Sequence, residues 1–133
     1  MPDFDPTLVF SPRLDHYIKY RPGYPLELID TLIRATGLSP DWRVADIGSG
    51  TGLLARLFLD FGCLVTGVEP NEEMRLAGAQ ILASYPGFHS LPGSAEATGL
   101  ADGCIDLVSA GMAFHWFDTH RAKVEFRRIL APH

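Results

Sequence analysis

Alternating glycines directly follow an acidic residue near the middle of the chain. The segment reads Asp46-Ile47-Gly48-Ser49-Gly50-Thr51-Gly52 and follows a short apolar stretch that starts at Arg43. Glycines at a strand-to-helix turn let the backbone bend sharply and approach a ligand closely, and the first amides of the next helix point at that ligand. The dinucleotide fingerprint G-x-G-x-x-G is not met, because its last glycine would fall at Leu53. The loop therefore predicts a ligand site of another kind.

The carboxylate of Asp46 indicates the charge of that ligand. It stands two residues before the first glycine, where it would repel a pyrophosphate and attract an ammonium group. The alternative is a plain tight turn with an acidic residue beside the helix. Because the glycine spacing, the carboxylate and the strand context agree, we favour a ligand with a cationic head and no phosphate.

Glu69 is the second candidate for ligand binding. It ends an apolar run over residues 63–68 and stands 21 positions after Gly48. An acidic residue about 20 positions beyond the glycine turn is placed to hydrogen-bond ribose hydroxyls, and its two acceptor oxygens match a vicinal diol. A solvated carboxylate at a strand end is the alternative, and the glycine loop favours the ribose role.

Strands and helices alternate along most of the chain. A helix is expected from Tyr24 to Gly37, and three more are expected after the glycine loop, after Asn71 and after Asp118 or Thr119. Strands are expected at 43–47, 63–68, 88–91 and 104–109. This alternation predicts an α/β fold, a parallel sheet with helices on both faces, with ligands at the carboxyl ends of the strands. Residues 1–23, with prolines at 2, 6, 12 and 22, are expected to be irregular.

Composition bounds the class of protein. The 133 residues favour one domain, and 47% hydrophobic with 20% charged residues are typical of a globular chain. A net charge of −5 makes nucleic acid or an anionic membrane surface a poor partner. There is no signal-peptide pattern and no apolar span for a membrane. Cys63 and Cys104 lack the spacing of metal ligands or of a disulfide scaffold, so we expect buried free thiols, no metal and a cytoplasmic setting.

Taken together, these segments resemble a class I S-adenosylmethionine-dependent methyltransferase, of the small-molecule type known as methyltransferase domain 11. The resemblance covers most of the chain in family order. Its segments are YRPGYP at 20–25, VADIGSGTG at 44–52, GVEPN at 67–71, GSAE at 93–96 and IDLVSAGMAFHWFD at 105–118. The second and third are the most specific of these.

The resemblance implies a Rossmann-like fold that usually has seven strands, of which we count four. It divides the chain into an N-terminal cap segment, 1–23, and an S-adenosylmethionine-binding domain, 24–133. The sequence ends with residues 125–133, at the point where the fifth strand of the family would start. We therefore expect the fourth strand to be an open sheet edge through which a homodimer could form. We also expect this chain alone to lack most of the acceptor pocket, and with it activity.

The resemblance also implies roles for individual residues. The implied cofactor contacts are Asp46, Gly48, Ser49, Gly50, Gly52, Glu69, Pro70, Ser94, Ala95, Glu96, Ser109, Ala110, Tyr17, Tyr20 and Arg21. The glycine loop would pack on the methionine part, Asp46 would face its ammonium group, and Glu69 would take the ribose hydroxyls with Pro70 beside the adenine.

The other implied contacts come from three further segments. Residues 94–96 would contact the adenine ring, and Ser109 and Ala110 would lie near the transferable methyl group. The segment with Tyr17, Tyr20 and Arg21 would close over the cofactor, with the guanidinium on the methionine carboxylate. A plain loop role for Ser94 and Glu96, packing for Tyr17 and Tyr20, and a surface role for Arg21 are equally open.

His115 follows the fourth strand, in a region that faces the acceptor pocket in the resembling family. Its neutral-range pKa would suit a general base, although we favour a structural hydrogen bond that fixes the loop. The implied reaction is in-line displacement at the sulfonium methyl group onto a small-molecule acceptor. The protein then mainly supplies alignment and excludes water.

Three other functions are alternatives to a methyltransferase acting on a small molecule. A non-catalytic module that binds S-adenosylmethionine or a partner is favoured by the short length. An NAD-type oxidoreductase shares the alternating elements, but Leu53 and Asp46 speak against it. A nucleic-acid methyltransferase would need a basic face or a motif such as N-P-P-Y, where this chain has SAGM.

Overall fold

The computed structural model describes residues 7–11, 14–20, 25–110 and 118–132, with side chains from residue 27 onward. The strands in this part of the chain are β1 (Thr7–Ser11), β2 (Leu14–Tyr20), β3 (Arg43–Ile47), β4 (Leu64–Val68), β5 (Phe88–Leu91) and β6 (Leu107–Ala110). The helices are α1 (Pro25–Thr36), α2 (Leu53–Phe61), α3 (Glu72–Ile81) and α4 (Thr119–Ile129).

A parallel core forms the centre of the sheet, whose strand order is β2-β1-β6-β3-β4-β5. β3 pairs in parallel with β4 and β6, and β4 pairs in parallel with β5. The four-stranded parallel sheet expected from the sequence is therefore confirmed. The chain moves outward from β3 to β4 and β5, then crosses back to β6 on the other side of β3. Strand order thus reverses between β3 and β6, where ligands bind in open α/β sheets.

Helices cover both faces of this sheet, as expected. Side chains alternate along a strand, so Val44 and Ile47 of β3 contribute to different cores. On one face, α1 and α2 pack against the strands through a core that includes Leu28, Leu32, Val44, Phe58, Val65 and Leu107. On the other face, α4 packs through a core that includes Ala45, Ile47, Val108, Ala122, Phe126 and Ile129.

The N-terminal segment corrects two expectations. Residues 7–11 and 14–20 are not irregular: β1 and β2 form an antiparallel hairpin that extends the sheet. β1 also pairs antiparallel with β6, with Val9 opposite Ser109, so the edge of β6 is covered over residues 108–110 and not open. The sequence pattern was misread because Pro6 and Pro12 lie just outside the strands, where they do not interrupt pairing. The homodimer expected through this edge loses its structural basis.

The helices α3 and α4 begin at their predicted caps, but α2 and α3 leave some residues at apolar helical spacing exposed. Asn71 caps α3 by accepting from the Met74 amide at 2.9 Å, and Asp118 caps α4 by accepting from the Arg121 amide at 3.0 Å. Leu53, Met74 and Ile81 fall at the spacing of an apolar helix face but are exposed. In their place α2 buries Ala55, Phe58 and Leu59, and α3 buries Gly78. Small residues let these helices lie close to their neighbours, which apolar periodicity alone does not reveal.

Both cysteines are free thiols. Cys63 is buried as expected, and burial raises its pKa to about 11, whereas Cys104 is only half-buried. No helix in the described ranges is long and apolar enough to span a membrane.

Candidate functional site

The glycine loop between β3 and α2 has the left-handed backbone that its glycines predict. Gly48, Gly50 and Gly52 have φ angles of 67°, 58° and 93°, a region that other residues enter at a cost. The Gly48 amide donates to the Val68 carbonyl at 2.7 Å, which ties the loop to the end of β4. The loop is therefore fixed beside the neighbouring strand, with α2 starting directly after it.

Asp46 lies at the carboxyl end of β3, beneath this loop, and is 1% exposed. Its Oδ1 accepts from the Ser109 hydroxyl at 3.0 Å, while Oδ2 is buried without a hydrogen-bond partner among the described residues. Burial, and after it the nearby charge of Glu69, raises the pKa of Asp46 to about 7. The Ser109 hydrogen bond, and to a lesser degree the nearby Ala55 amide, oppose the shift. An orphaned buried carboxylate oxygen is costly unless a donor or a cation completes it.

Glu69 fastens the glycine loop to the start of α3. It is 6% exposed; its Oε1 accepts from the Gly50 amide at 2.8 Å and its Oε2 from the Asn71 amide at 3.0 Å. The sequence assigned Glu69 to ribose hydroxyls and did not anticipate this structural role. A carboxylate has about four lone-pair sites, so two remain for hydroxyl groups. Pro70, next in the chain, is exposed.

The loop after β5 carries the predicted adenine contacts. Ala95 is buried, and the Ser94 hydroxyl accepts from the Ala97 amide at 3.2 Å. Glu96 Oε2 accepts from the Asp118 amide at 2.8 Å, at the start of α4. Ser94 and Glu96 thus already hold hydrogen bonds within the protein, while Ala95 packs inward.

Sequence analysis missed a second anchor of this loop on α4. The carboxylate of Glu125 accepts from the Thr98 amide at 2.9 Å and from its hydroxyl at 2.7 Å, and pairs with Arg128 at 2.7 Å. These contacts, with that ion pair first, hold the pKa of Glu125 at about 2. The signal was present, because Glu125 falls at helical spacing on the apolar stripe that includes Ala122 and Phe126.

Two glycines that the sequence analysis passed over also shape the site. A Cβ at Gly78 of α3 would lie 3.1 Å from the Gly50 carbonyl oxygen, and one at Gly67 of β4 would lie 2.8 Å from Ser49 Oγ. Only glycine lets α3 and β4 lie this close to the glycine loop. An isolated glycine inside a helix pattern, as at Gly78, was the available signal.

The predicted site residues fall into three groups. Asp46, Ser109 and Glu69 come together with the glycine loop at the reversal of strand order, and Ala110 is buried at the end of β6. Residues 94–96 lie in the neighbouring loop. Tyr17 and Tyr20 lie in β2 with side chains outside the described part, and Arg21 and His115 lie outside the described residues. In the part of the chain with described side chains, no cluster of His, Cys, Asp and Glu could hold a metal ion.

Comparison with known proteins identifies the family. The sequence profile of the methyltransferase domain family matches residues 45–133, so this chain belongs to that family. It is 37% identical to an uncharacterised methyltransferase of Mycobacterium tuberculosis over 128 residues, which cover 96% of this chain and 50% of the relative. It is 33% identical to a malonyl-(acyl-carrier protein) O-methyltransferase of Enterobacter lignolyticus over 91 residues, 68% of this chain and 35% of the relative.

A solved structure gives the same result for the fold. A putative S-adenosyl-L-methionine-dependent methyltransferase from Methanococcus maripaludis superposes with a TM-score of 0.72 at 23% identity, over 81% of this chain and 51% of that one. The expected family, the Rossmann-like fold and S-adenosylmethionine as the cofactor of the family are thereby confirmed. The chain spans about half the length of the curated relatives it matches first.

Proposed function

We propose that this chain binds S-adenosylmethionine at the end of β3 and serves a methyltransferase that methylates a small-molecule acceptor by in-line displacement. The observation that carries the proposal is the buried Oδ2 of Asp46 beside the glycine loop, for which the described part of the chain supplies no hydrogen-bond partner. The ammonium group of the cofactor would supply the cation that this oxygen needs. A dinucleotide phosphate at the same place would be repelled.

The surrounding residues fit the rest of the cofactor. The glycine loop carries no side chains at Gly48, Gly50 and Gly52 and leads into the N-terminus of α2, which favours the methionine carboxylate. Glu69 keeps two lone-pair sites for the ribose hydroxyls. We assign the adenine to residues 94–96 and Pro70.

Residues whose side chains lie outside the described part complete the proposal. We keep Arg21, with Tyr17 and Tyr20, as the segment that closes over the cofactor, and His115 as the candidate base on the acceptor side. The printed name of one relative, a malonyl-(acyl-carrier protein) O-methyltransferase, makes carboxyl groups of acyl compounds the first acceptors to assay. Both cysteines are free thiols, which supports the cytoplasm as the setting.

When bound, S-adenosylmethionine supplies a methyl group on a sulfonium that is already a good leaving group. The residues of this chain are left with alignment: Asp46 would hold the ammonium end and Glu69 the ribose, so that the methyl group meets the acceptor in line. Acidic acceptors such as carboxylates need no base, whereas a phenol or amine would benefit from His115.

Calorimetric titration of this chain with S-adenosylmethionine, and with NADH as the comparison ligand, tests the proposal. We expect saturable binding of S-adenosylmethionine alone, lost in Asp46→Ala and in Glu69→Ala. Asp30→Ala is the matched control, because Asp30 is an exposed acidic residue on α1. Binding of NADH, or full affinity for S-adenosylmethionine in Asp46→Ala, would refute the proposed site.

Methyl transfer is tested separately, in a version of the protein as long as its curated relatives, because this chain alone is expected to lack most of the acceptor pocket. Methyl groups are followed from labelled S-adenosylmethionine onto a panel of acyl acids and phenols. Transfer to one class, abolished in Asp46→Ala, is the expected result for an enzyme. Tight binding of the cofactor with no transfer to any acceptor would favour the alternative, a non-catalytic module.

A further inference from the structure

Asp46 and Ser109 face each other across the two strands between which the strand order reverses. They are register partners in the parallel pair of β3 and β6, on the sheet face that α1 and α2 cover. Ser109 is fully buried and Asp46 is 1% exposed. Sixty-three residues of chain separate them, and no local motif joins them.

The Ser109 hydroxyl has one proton to donate, and it donates that proton to Oδ1 of Asp46 at 3.0 Å. This hydrogen bond occupies one oxygen and restricts rotation of the carboxyl group about its bond to Cβ. The other oxygen, Oδ2, is buried and has no partner among the described residues. One carboxylate oxygen of Asp46 is therefore fixed by the protein, and the other is available to a ligand.

We propose that Ser109 is a positioning residue of the cofactor site: its hydroxyl holds Oδ1 of Asp46 so that Oδ2 stays open to the ammonium group of the cofactor. The inference rests on the proposed function and replaces the role near the transferable methyl group that the resemblance implied for Ser109. Ser109 then touches no part of the cofactor and acts through Asp46.

The charged groups around Asp46 agree with this role. Neither β4 nor β6 contains a charged residue, and Glu69 just beyond β4 repels the carboxylate. From α2, the Ala55 amide favours the charged form, while Arg56 forms an exposed ion pair with Asp60. No cation of these elements neutralises Asp46. The Ser109 hydrogen bond is the strongest interaction that lowers the pKa of Asp46, so its loss should raise that pKa.

Two variants of equal shape separate the effect of the Ser109 hydroxyl from the effect of side-chain volume. Ser109→Thr keeps the hydroxyl and Ser109→Val replaces it by a methyl group, so both add the same bulk to the strand. Ser109→Ala serves if that bulk is not accepted. Each variant is titrated with S-adenosylhomocysteine and with 5′-methylthioadenosine, which share the adenosine and the thioether but differ in the amino-acid part.

Ser109→Val should bind S-adenosylhomocysteine about tenfold more weakly than Ser109→Thr, the effect of a hydrogen bond to a charged group. The two should bind 5′-methylthioadenosine within about twofold of each other. In an Asp46→Asn background, the change from Ser109→Thr to Ser109→Val should alter the affinity for S-adenosylhomocysteine no more than the affinity for 5′-methylthioadenosine. An equal loss for both ligands, or no loss for either, would overturn the proposal.

A titration of the empty chain gives a readout that does not depend on the cofactor. The carboxyl carbon of Asp46, followed by NMR against pH, should titrate at higher pH in Ser109→Val than in Ser109→Thr. Equal midpoints would overturn the inference even if the cofactor binds. A wild-type chain that binds neither nucleoside would instead overturn the proposed function, so the two failures are distinguishable.

Discussion

Asp46→Asn should change the stability of the empty chain in a pH-dependent way, because burial makes the charged carboxylate costly. The native pKa is raised from 3.8 to about 7, so the unfolded chain ionises this group at a lower pH than the native chain does. The contribution of Asp46 to stability is therefore complete below about pH 4, falls as the pH rises to about 7, and stays low above that. At about 1.4 kcal/mol for each pH unit, the fall totals about 4 kcal/mol.

The assay is urea unfolding of wild type and Asp46→Asn at pH 5 and pH 8. Asparagine has no proton to lose, so the free energy of unfolding of the variant relative to wild type should rise by about 3 kcal/mol between the two pH values. Using this difference cancels the titration of all other groups. Asp30→Asn, the same exchange at an exposed position, should show no comparable change. A relative stability of Asp46→Asn that is equal at both pH values, or higher at pH 5, would refute the reasoning.

Three further substitutions test the surrounding contacts by the same unfolding assay. Glu69→Gln should lower the stability of the empty chain by about 1–3 kcal/mol, because its amide nitrogen cannot accept from Gly50 or Asn71; unchanged stability would mean that these hydrogen bonds are not formed. Gly78→Ala should destabilise although alanine favours helices by about 1 kcal/mol, because its Cβ would lie 3.1 Å from the Gly50 carbonyl oxygen; a stabilised variant would contradict that packing. Glu125, with its pKa held at about 2 against an ordinary 4.5, contributes stability above pH 4.5 that is lost as the pH falls toward 2; Glu125→Gln should be less stable near neutral pH and lose less on acidification, and an unchanged acid profile would count against the network.

Local signals explain what the sequence predicted well. The bounds of β3, the caps at Asn71 and Asp118, and the left-handed glycines each depend on residues within one turn or strand. The alternation of elements then leaves few arrangements besides a parallel sheet. The carboxylates at strand ends followed from that arrangement, so Asp46 and Glu69 could be placed at the same edge before any coordinates.

Contacts between distant residues explain what the sequence did not predict. Ser109 reaches Asp46 across 63 residues, and Glu125 reaches Thr98 across 27. The hairpin of β1 and β2 depends on pairing with β6, about 100 residues further along the chain. Pairing of this kind is decided by the whole sheet, whereas the prolines around the hairpin gave a local signal for irregular structure.

The role of Asp46 as the partner of the cofactor's ammonium group is tested most directly by counting protons. The chain is titrated with S-adenosylmethionine at pH 6.5 in two buffers of different ionisation enthalpy, because binding to a partly protonated Asp46 must expel a proton. With the pKa of empty Asp46 at about 7, most sites should release a proton on binding S-adenosylmethionine, and 5′-methylthioadenosine, which lacks the ammonium group, should release none. Equal heats in both buffers for S-adenosylmethionine would contradict the account.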